Sequence, residues 1–165
     1  MKPKIIKAHM EVAGTYAKLS TARRLQVGAI VVKDDRIISI GYNGMPAGWD
    51  NDCEYRDYDL ARDFNGNYFA YSYKEYPLED EHGRYKLKTR PEVLHAEANA
   101  IAKVARSPES AENSAIFVTH APCIECAKLI YQSGIKQVFY RDNYRSEAGV
   151  AFLKQAGITI NKVEE

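Results

Sequence analysis

The chain has 165 residues, 45% of them hydrophobic, which is room for one domain with a proper core. Its formal net charge is +1, with Lys and Arg interleaved among Asp and Glu, so the basic stripe that a long polyanion needs is missing and no nucleic-acid partner is expected. No apolar run reaches bilayer length, and the start, Met1-Lys2-Pro3-Lys4, leads into an amphipathic pattern rather than a secretion signal, so no membrane partner is expected either.

Ile5, Ile6, His9, Met10, Ala13, Ala17 and Leu19 recur at helical spacing and predict an opening helix that ends near Ser20. The segment 27–33 is β-branched and largely apolar and reads as a buried strand. Asp34-Asp35-Arg36 turns it into a second strand, 37–40, giving a hairpin that ends in the loop Gly41-Tyr42-Asn43-Gly44. From Met45 to Arg90 the chain is rich in tyrosine and charge and poor in periodicity. It is too long for an ordinary loop and reads as an insertion folded against the body, with a short helix at 57–63.

Pro91 precedes the periodic run Val93, Leu94, Ala98, Ile101, Ala102 and Ala105, predicting a helix with the proline in its first turn and an end near Ser107-Pro108. The segment 115–119 is a strand. Pro122 precedes Ile124, Ala127, Leu129 and Ile130, a second such helix, ending at Ser133-Gly134. A strand at 137–140, a helix at 147–156 capped by Gly157 and a strand at 158–160 complete the chain. This order implies an α/β fold of three α-β-α layers. Its mixed five-stranded sheet has the fourth and fifth strands parallel through their helical crossover. Residues 1–165 read as a single domain with the insertion at about 45–90.

His95-Ala96-Glu97 and Pro122-Cys123-Ile124-Glu125-Cys126 together spell H-x-E…P-C-x-x-C. Only 3 cysteines occur, which fits a reducing compartment and a cytoplasmic location. With two of them in the C-x-x-C pair, His95 is the natural third metal ligand. Structural zinc takes four protein ligands, whereas catalytic zinc takes three and leaves a position for water. Near a helix start His95 and Glu97 both reach past its end, and Cys123 and Cys126, at i and i+3, share a face. The positive helix end favours their thiolates. The pattern is the signature of zinc-dependent nucleobase deaminases, with the glutamate as proton carrier rather than ligand. A metal knuckle that only staples the fold, with Glu97 a solvated helix residue, is the bland alternative.

The chain resembles the deoxycytidylate deaminases of the cytidine deaminase superfamily over nearly its whole length. The matching pieces are Gln26–Val32, Gly41-Tyr42-Asn43-Gly44-Met45-Pro46-Ala47-Gly48, His95–Ile101 and Val118–Cys126. The resemblance implies a cytidine deaminase-like fold and a deaminase domain that hydrolyses dCMP to dUMP and ammonia in pyrimidine deoxynucleotide metabolism. It also implies a homohexamer, activated by dCTP and inhibited by dTTP, each with Mg²⁺. By motif, His95, Cys123 and Cys126 bind one catalytic Zn²⁺, and Glu97 is catalytic. Hydroxide attacks C4 of cytosine while Glu97 takes the water's proton, protonates N3 and then delivers a proton to the leaving amine.

The same resemblance places Asn43 on the sugar and Arg24, Tyr144 and Arg145 on the 5′-phosphate and nucleotide, with Arg23 and Arg141 as close alternatives. Arginine suits phosphate because its planar fork binds two oxygens. Ala96 and His120 complete the substrate contacts, His120 lining the base. Gly41, Tyr42, Asn43, Gly44 and Gly48, with Arg106 near a subunit interface, form the candidate effector region. A turn asparagine and solvated arginines are the plain readings of the same residues. Some relatives hold a second, structural zinc near the insertion. Here Cys53 and His82 remain, but Ala22 stands where one relative has cysteine, and two ligands do not close a site. The partners expected are therefore small nucleotides, as substrate and effectors. A tRNA adenosine-type polynucleotide deaminase and a non-catalytic zinc-binding nucleotide sensor are the competing readings. The first would gain from a basic groove, and the second has no use for Glu97.

Overall fold

The computed structural model describes residues 1–164. Helix α1 (Pro3–Ala17), with Pro3 in its first turn, leads into a hairpin of β1 (Gly28–Lys33) and β2 (Arg36–Tyr42). Asp34 and Asp35 both take positive φ, 50° and 57°, the turn whose twist suits a two-residue hairpin. The insertion holds β3 (Glu54–Tyr58), a single-turn α2 (Ser72–Glu75), β4 (Leu78–Asp80) and β5 (Gly83–Thr89). The body resumes with α3 (Ala96–Ala105), β6 (Ala115–His120), α4 (Ile124–Gln132), β7 (Gln137–Asp142), α5 (Ala148–Gln155) and β8 (Thr159–Lys162).

The main sheet runs β2-β1-β6-β7-β8. β1 is antiparallel to β2 and β6, while β6, β7 and β8 are parallel. The expected parallel pairing of the last two strands is therefore present. Strand period divides the apolar residues between two faces. Ala29, Val31, Ile116, Val118 and Val138 pack with Ala96, Ala100 and Val104 of α3, Ala127 and Ile130 of α4, and Leu153 of α5. Ile30, Val32, Phe117 and Phe139 pack under Met10 and Ala13 of α1. β1 and β6 are buried almost from end to end, as strands covered on both faces must be. Among the described residues no helix is long and apolar enough to cross a membrane.

Two expectations are corrected. No helix forms at 57–63: Glu54–Tyr58 is a strand in a separate sheet ordered β3-β5-β4. Its alternating charges find partners across the ladder, Asp57 lying 3.0 Å from Lys88, and Tyr58 stands 5.5 Å ring to ring from its register partner Tyr85. Those partners are some thirty residues away, so local pattern does not reveal them. Nor do Pro91 and Pro122 sit in the first turns of their helices: α4 begins at Ile124, after the extended Cys123, and α3 at Ala96. Leu94 is held extended by Gly44, N–H to O in both directions at 2.9 and 3.1 Å, so α3 cannot begin before Ala96. Val93 turns instead into a small cluster with Ala22 and Cys53.

Candidate active site

Two helix starts meet at the carboxyl edge of β6, the usual place for chemistry in an open α/β sheet. His95 is the residue that opens α3, and Cys123 opens α4. Both have extended backbone, and neither side chain caps its own helix. Their side chains are free to face one another. His95 Nδ1 lies 3.5 Å from Cys123 Sγ and 3.3 Å from Cys126 Sγ, and the three ligand atoms all fall within 4.8 Å of each other. Zinc bonds of about 2.3 Å to sulfur and about 2.0–2.1 Å to nitrogen, at tetrahedral angles, put N and S about 3.5 Å apart. The spacing therefore fits a zinc ion held by one imidazole and two thiolates. Among the described residues this is the one such His/Cys/Asp/Glu cluster.

Close glycine packing fixes both starts. Gly41 of β2 lies under α3: a Cβ there would fall on the Ala96 carbonyl and within 2.7 Å of the Ala100 nitrogen. Gly149 in α5 lies against the cysteine loop, where a Cβ would fall on the Pro122 carbonyl and within 2.8 Å of the Cys123 oxygen.

Glu97 sits in the first turn of α3 and is 5% exposed. Burial pushes its carboxyl above the usual range, against the opposing pull of its own backbone amide and His95. Cys123, hydrogen-bonded by Cys126 and His95, is drawn down to about 3. Cys126 is pushed up, first by its hydrogen bond with Cys123 and then by burial. His95 is raised, chiefly by its hydrogen bond with Cys123. Without a cation the two sulfurs share one negative charge; a divalent ion between them favours thiolate at both.

Asn43 is buried at the end of the hairpin. Its Oδ1 accepts the Val27 N–H at 2.7 Å and its Nδ2 donates to the Leu25 carbonyl at 2.8 Å. One amide hydrogen and one lone pair remain for a ligand. Through the Gly44–Leu94 bridge the same loop is tied to the residue before His95. His120 ends β6, with Nδ1 3.2 Å from Thr119 Oγ1 and Nε2 3.7 Å from Asp142. Burial lowers its pKa. Tyr144 and Arg145 follow the end of β7 at the same sheet edge, and the Arg145 guanidinium stands 5.5 Å over the Tyr144 ring.

The paired candidates separate by their partners. Arg23 is engaged by Asp52 and Glu54, and Arg141 by Asp142. Arg24 donates to the Thr89 hydroxyl at 2.9 Å. The effector candidates are less alike than their shared loop suggests. Gly41 is covered by α3 and Gly44 is bonded to Leu94, while Gly48, at φ +86°, is exposed. Arg106 closes the far end of α3, roughly 16–17 Å from His95 by helix rise. Cys53 is buried beside Thr21, and His82 is exposed against Tyr58.

Three working residues escaped the sequence reading. Asn99 donates to the Tyr42 carbonyl at 2.9 Å and locks α3 to the end of β2. Asp142 faces both His120 and Arg141. Glu54, 1% exposed, accepts the backbone N–H groups of Arg23 and Arg24. Asn99 carried a signal, a polar residue one turn after His95. The other two are defined only by long-range contacts.

The family described as the cytidine and deoxycytidylate deaminase zinc-binding region matches residues 3–142. The deoxycytidylate deaminase of Enterobacteria phage T4 is 33% identical over 93% of this chain and 87% of its own length. ComE operon protein 2 of Bacillus subtilis is 35% identical over 88% of this chain, which spans 64% of that protein. A crystal structure of the dCMP deaminase from the cyanophage S-TIM5, in complex with dCMP and dUMP, superposes with TM-score 0.77 at 38% identity, covering 98% of both chains. With the His/Cys/Cys cluster and the buried glutamate in place, the chain belongs to the deoxycytidylate deaminase branch of the cytidine and deoxycytidylate deaminase family.

Proposed function

We propose that this chain, a single deaminase domain with an insertion at 45–90, hydrolyses dCMP to dUMP and ammonia. The observation that carries the reading is the meeting of His95, Cys123 and Cys126 beside a buried Glu97. The names of the relatives and of the ligands in the S-TIM5 structure support the substrate. Zinc held by His95, Cys123 and Cys126 would supply a water whose pKa falls to about 7. Glu97 would accept one proton of the attacking water and pass it to cytosine N3, then take the proton of the new C4 hydroxyl and deliver it to the amine as the C4–N bond breaks. Its seat in the first helical turn, shut off from solvent, holds the carboxyl in one place for each of these transfers. Asn43 offers its remaining amide hydrogen to the sugar, Ala96 backs the base and His120 lines it. Tyr144 packs on the nucleotide while Arg24 and Arg145 take the phosphate.

The reading extends to regulation and assembly: dCTP activates and dTTP inhibits, each with Mg²⁺, in a cytoplasmic homohexamer. The likeness of 41–48 to the family's effector loop supports this, with the exposed Gly48 as the amide best placed for phosphate. Arg106 belongs to the same regulatory reading.

Loss of cytosine absorbance by zinc-loaded protein tests the whole. The comparison is dCMP, deoxycytidine, dCTP and a cytosine-containing oligonucleotide, each with and without added dCTP or dTTP and Mg²⁺. Turnover of dCMP far above the others is the expected result, with rates that answer to the triphosphates. Turnover of the oligonucleotide with dCMP inert overturns the substrate, and rates indifferent to both triphosphates overturn the regulation.

A further inference from the structure

The insertion and the candidate phosphate site are joined by a buried carboxylate. Glu54 opens β3 and is 1% exposed. Its Oε1 accepts the backbone N–H of Arg23 at 3.0 Å and of Arg24 at 3.1 Å. Its Oε2 accepts the Arg23 N–H at 3.2 Å and Arg23 Nε at 3.4 Å. A buried carboxylate held by so many donors is fixed, because no solvent competes for its oxygens. The two arginines it holds have opposite fates. Arg23 is neutralised by Glu54 and by Asp52, at 2.8 Å. Arg24 makes no ion pair among the described residues. Its Nη1 donates only to the neutral Thr89 hydroxyl, and Thr89 is the register partner of Glu54 across β3 and β5.

The segment is pinned on its other side as well. The Leu25 carbonyl and the Val27 N–H are bound by the Asn43 side chain, and Asn43 N–H returns to the Val27 carbonyl at 3.1 Å. Residues 23–27 are thus stretched between the insertion and the loop that is bridged to Leu94, next to His95. Arg24 is the charge in that stretch left without a counterion.

We propose that Glu54 is a positioning residue: by fixing the backbone at Arg23 and Arg24 it aims Arg24 at the 5′-phosphate, making the insertion the element that distinguishes nucleotide from nucleoside. This rests on the deaminase reading above and on Arg24 as a phosphate ligand. Glu54 touches no substrate and acts through Arg24. Its loss therefore weakens binding of the phosphorylated substrate and leaves the chemistry at Cys123, Cys126 and Glu97 alone. A misplacement of about 1 Å at a positioning group can cost up to about 100-fold.

The test is a cycle of Glu54→Gln, Arg24→Ala and the double variant, each with zinc content verified. KM and kcat are measured for dCMP and for deoxycytidine, which lacks the phosphate. Each single variant is expected to raise KM for dCMP between about tenfold and about 100-fold, with kcat within about twofold and deoxycytidine kinetics unmoved. The double variant should be no worse than Arg24→Ala, since one residue acts through the other. Equal losses on dCMP and deoxycytidine, or additive losses in the double variant, overturn the positioning role. A KM unchanged by Arg24→Ala overturns the phosphate reading itself. A KM raised by Arg24→Ala and unmoved by Glu54→Gln overturns Glu54 alone. If Glu54→Gln does not fold, Glu54→Asp keeps the charge, shortens its reach and carries the same comparison.

Discussion

Glu97 is a buried acid whose neighbours are two sulfurs and an imidazole, and nothing in the packing of α3 asks for a carboxyl there. Glu97→Ala should retain zinc by metal analysis while turnover of dCMP falls by at least about 10³-fold, near the upper end of what general acid–base catalysis supplies. Loss of zinc together with turnover would recast the residue as a support of the ligands. The His95, Cys123 and Cys126 cluster and the buried glutamate beside it were legible in the sequence because zinc chemistry demands those residue types at tight spacing. The different partners of Arg23 and Arg24 were not. Their difference lies in whether a carboxylate thirty residues away faces the side chain, and only the fold supplies that.

At the scale of elements, the site depends on how closely helices approach their neighbours. α5 rests its Gly149 on the loop that carries Cys123. Gly149→Ala forces that loop to move and should weaken zinc retention at least about tenfold in competition with a chelator, though the residue is no ligand. The insertion has its own anchor: Ser72 Oγ donates to Asp59, and Ala61 N–H donates to the same carboxylate. Both bonds lower the Asp59 pKa, Ser72 contributing most. A carboxyl with a lowered folded pKa stabilises above the unfolded value and loses that contribution as pH falls through the folded one. The stability gap between wild type and Ser72→Ala should therefore be constant above about pH 5 and shrink as acid is added. A gap that ignores pH would mean that the bond matters without its charge. The body helices and strands could be read from periodicity because each buries a continuous apolar face. The strands of the insertion could not, since their ladder is held by cross-strand charges such as Asp57 with Lys88 and by tyrosine pairs.

For the whole molecule, a zinc ion held by His95, Cys123 and Cys126 would join α3 to α4 across the edge of the sheet and so couple binding to folding. Free zinc at a hundredfold over its Kd adds about 2.7 kcal/mol, and chelation should lower Tm by about 5–10 °C for a domain of this size. A Tm indifferent to chelator would mean that the three ligands do not hold the ion. The layered architecture was readable because the order of elements leaves few ways to cover both faces of a mixed sheet. The starting point of α3 was not readable, because the Gly44–Leu94 bridge overrides the proline signal. That starting point carries a cost. Histidine and cysteine open α3 and α4 without capping them, where serine or aspartate would stabilise each helix by about 1 kcal/mol. His95→Ser should raise the urea midpoint of the metal-free protein while abolishing activity. Without metal these two residues cost the fold its caps, and the stability they return comes only with the ion, so the domain is made to depend on zinc for its robustness as well as for its chemistry.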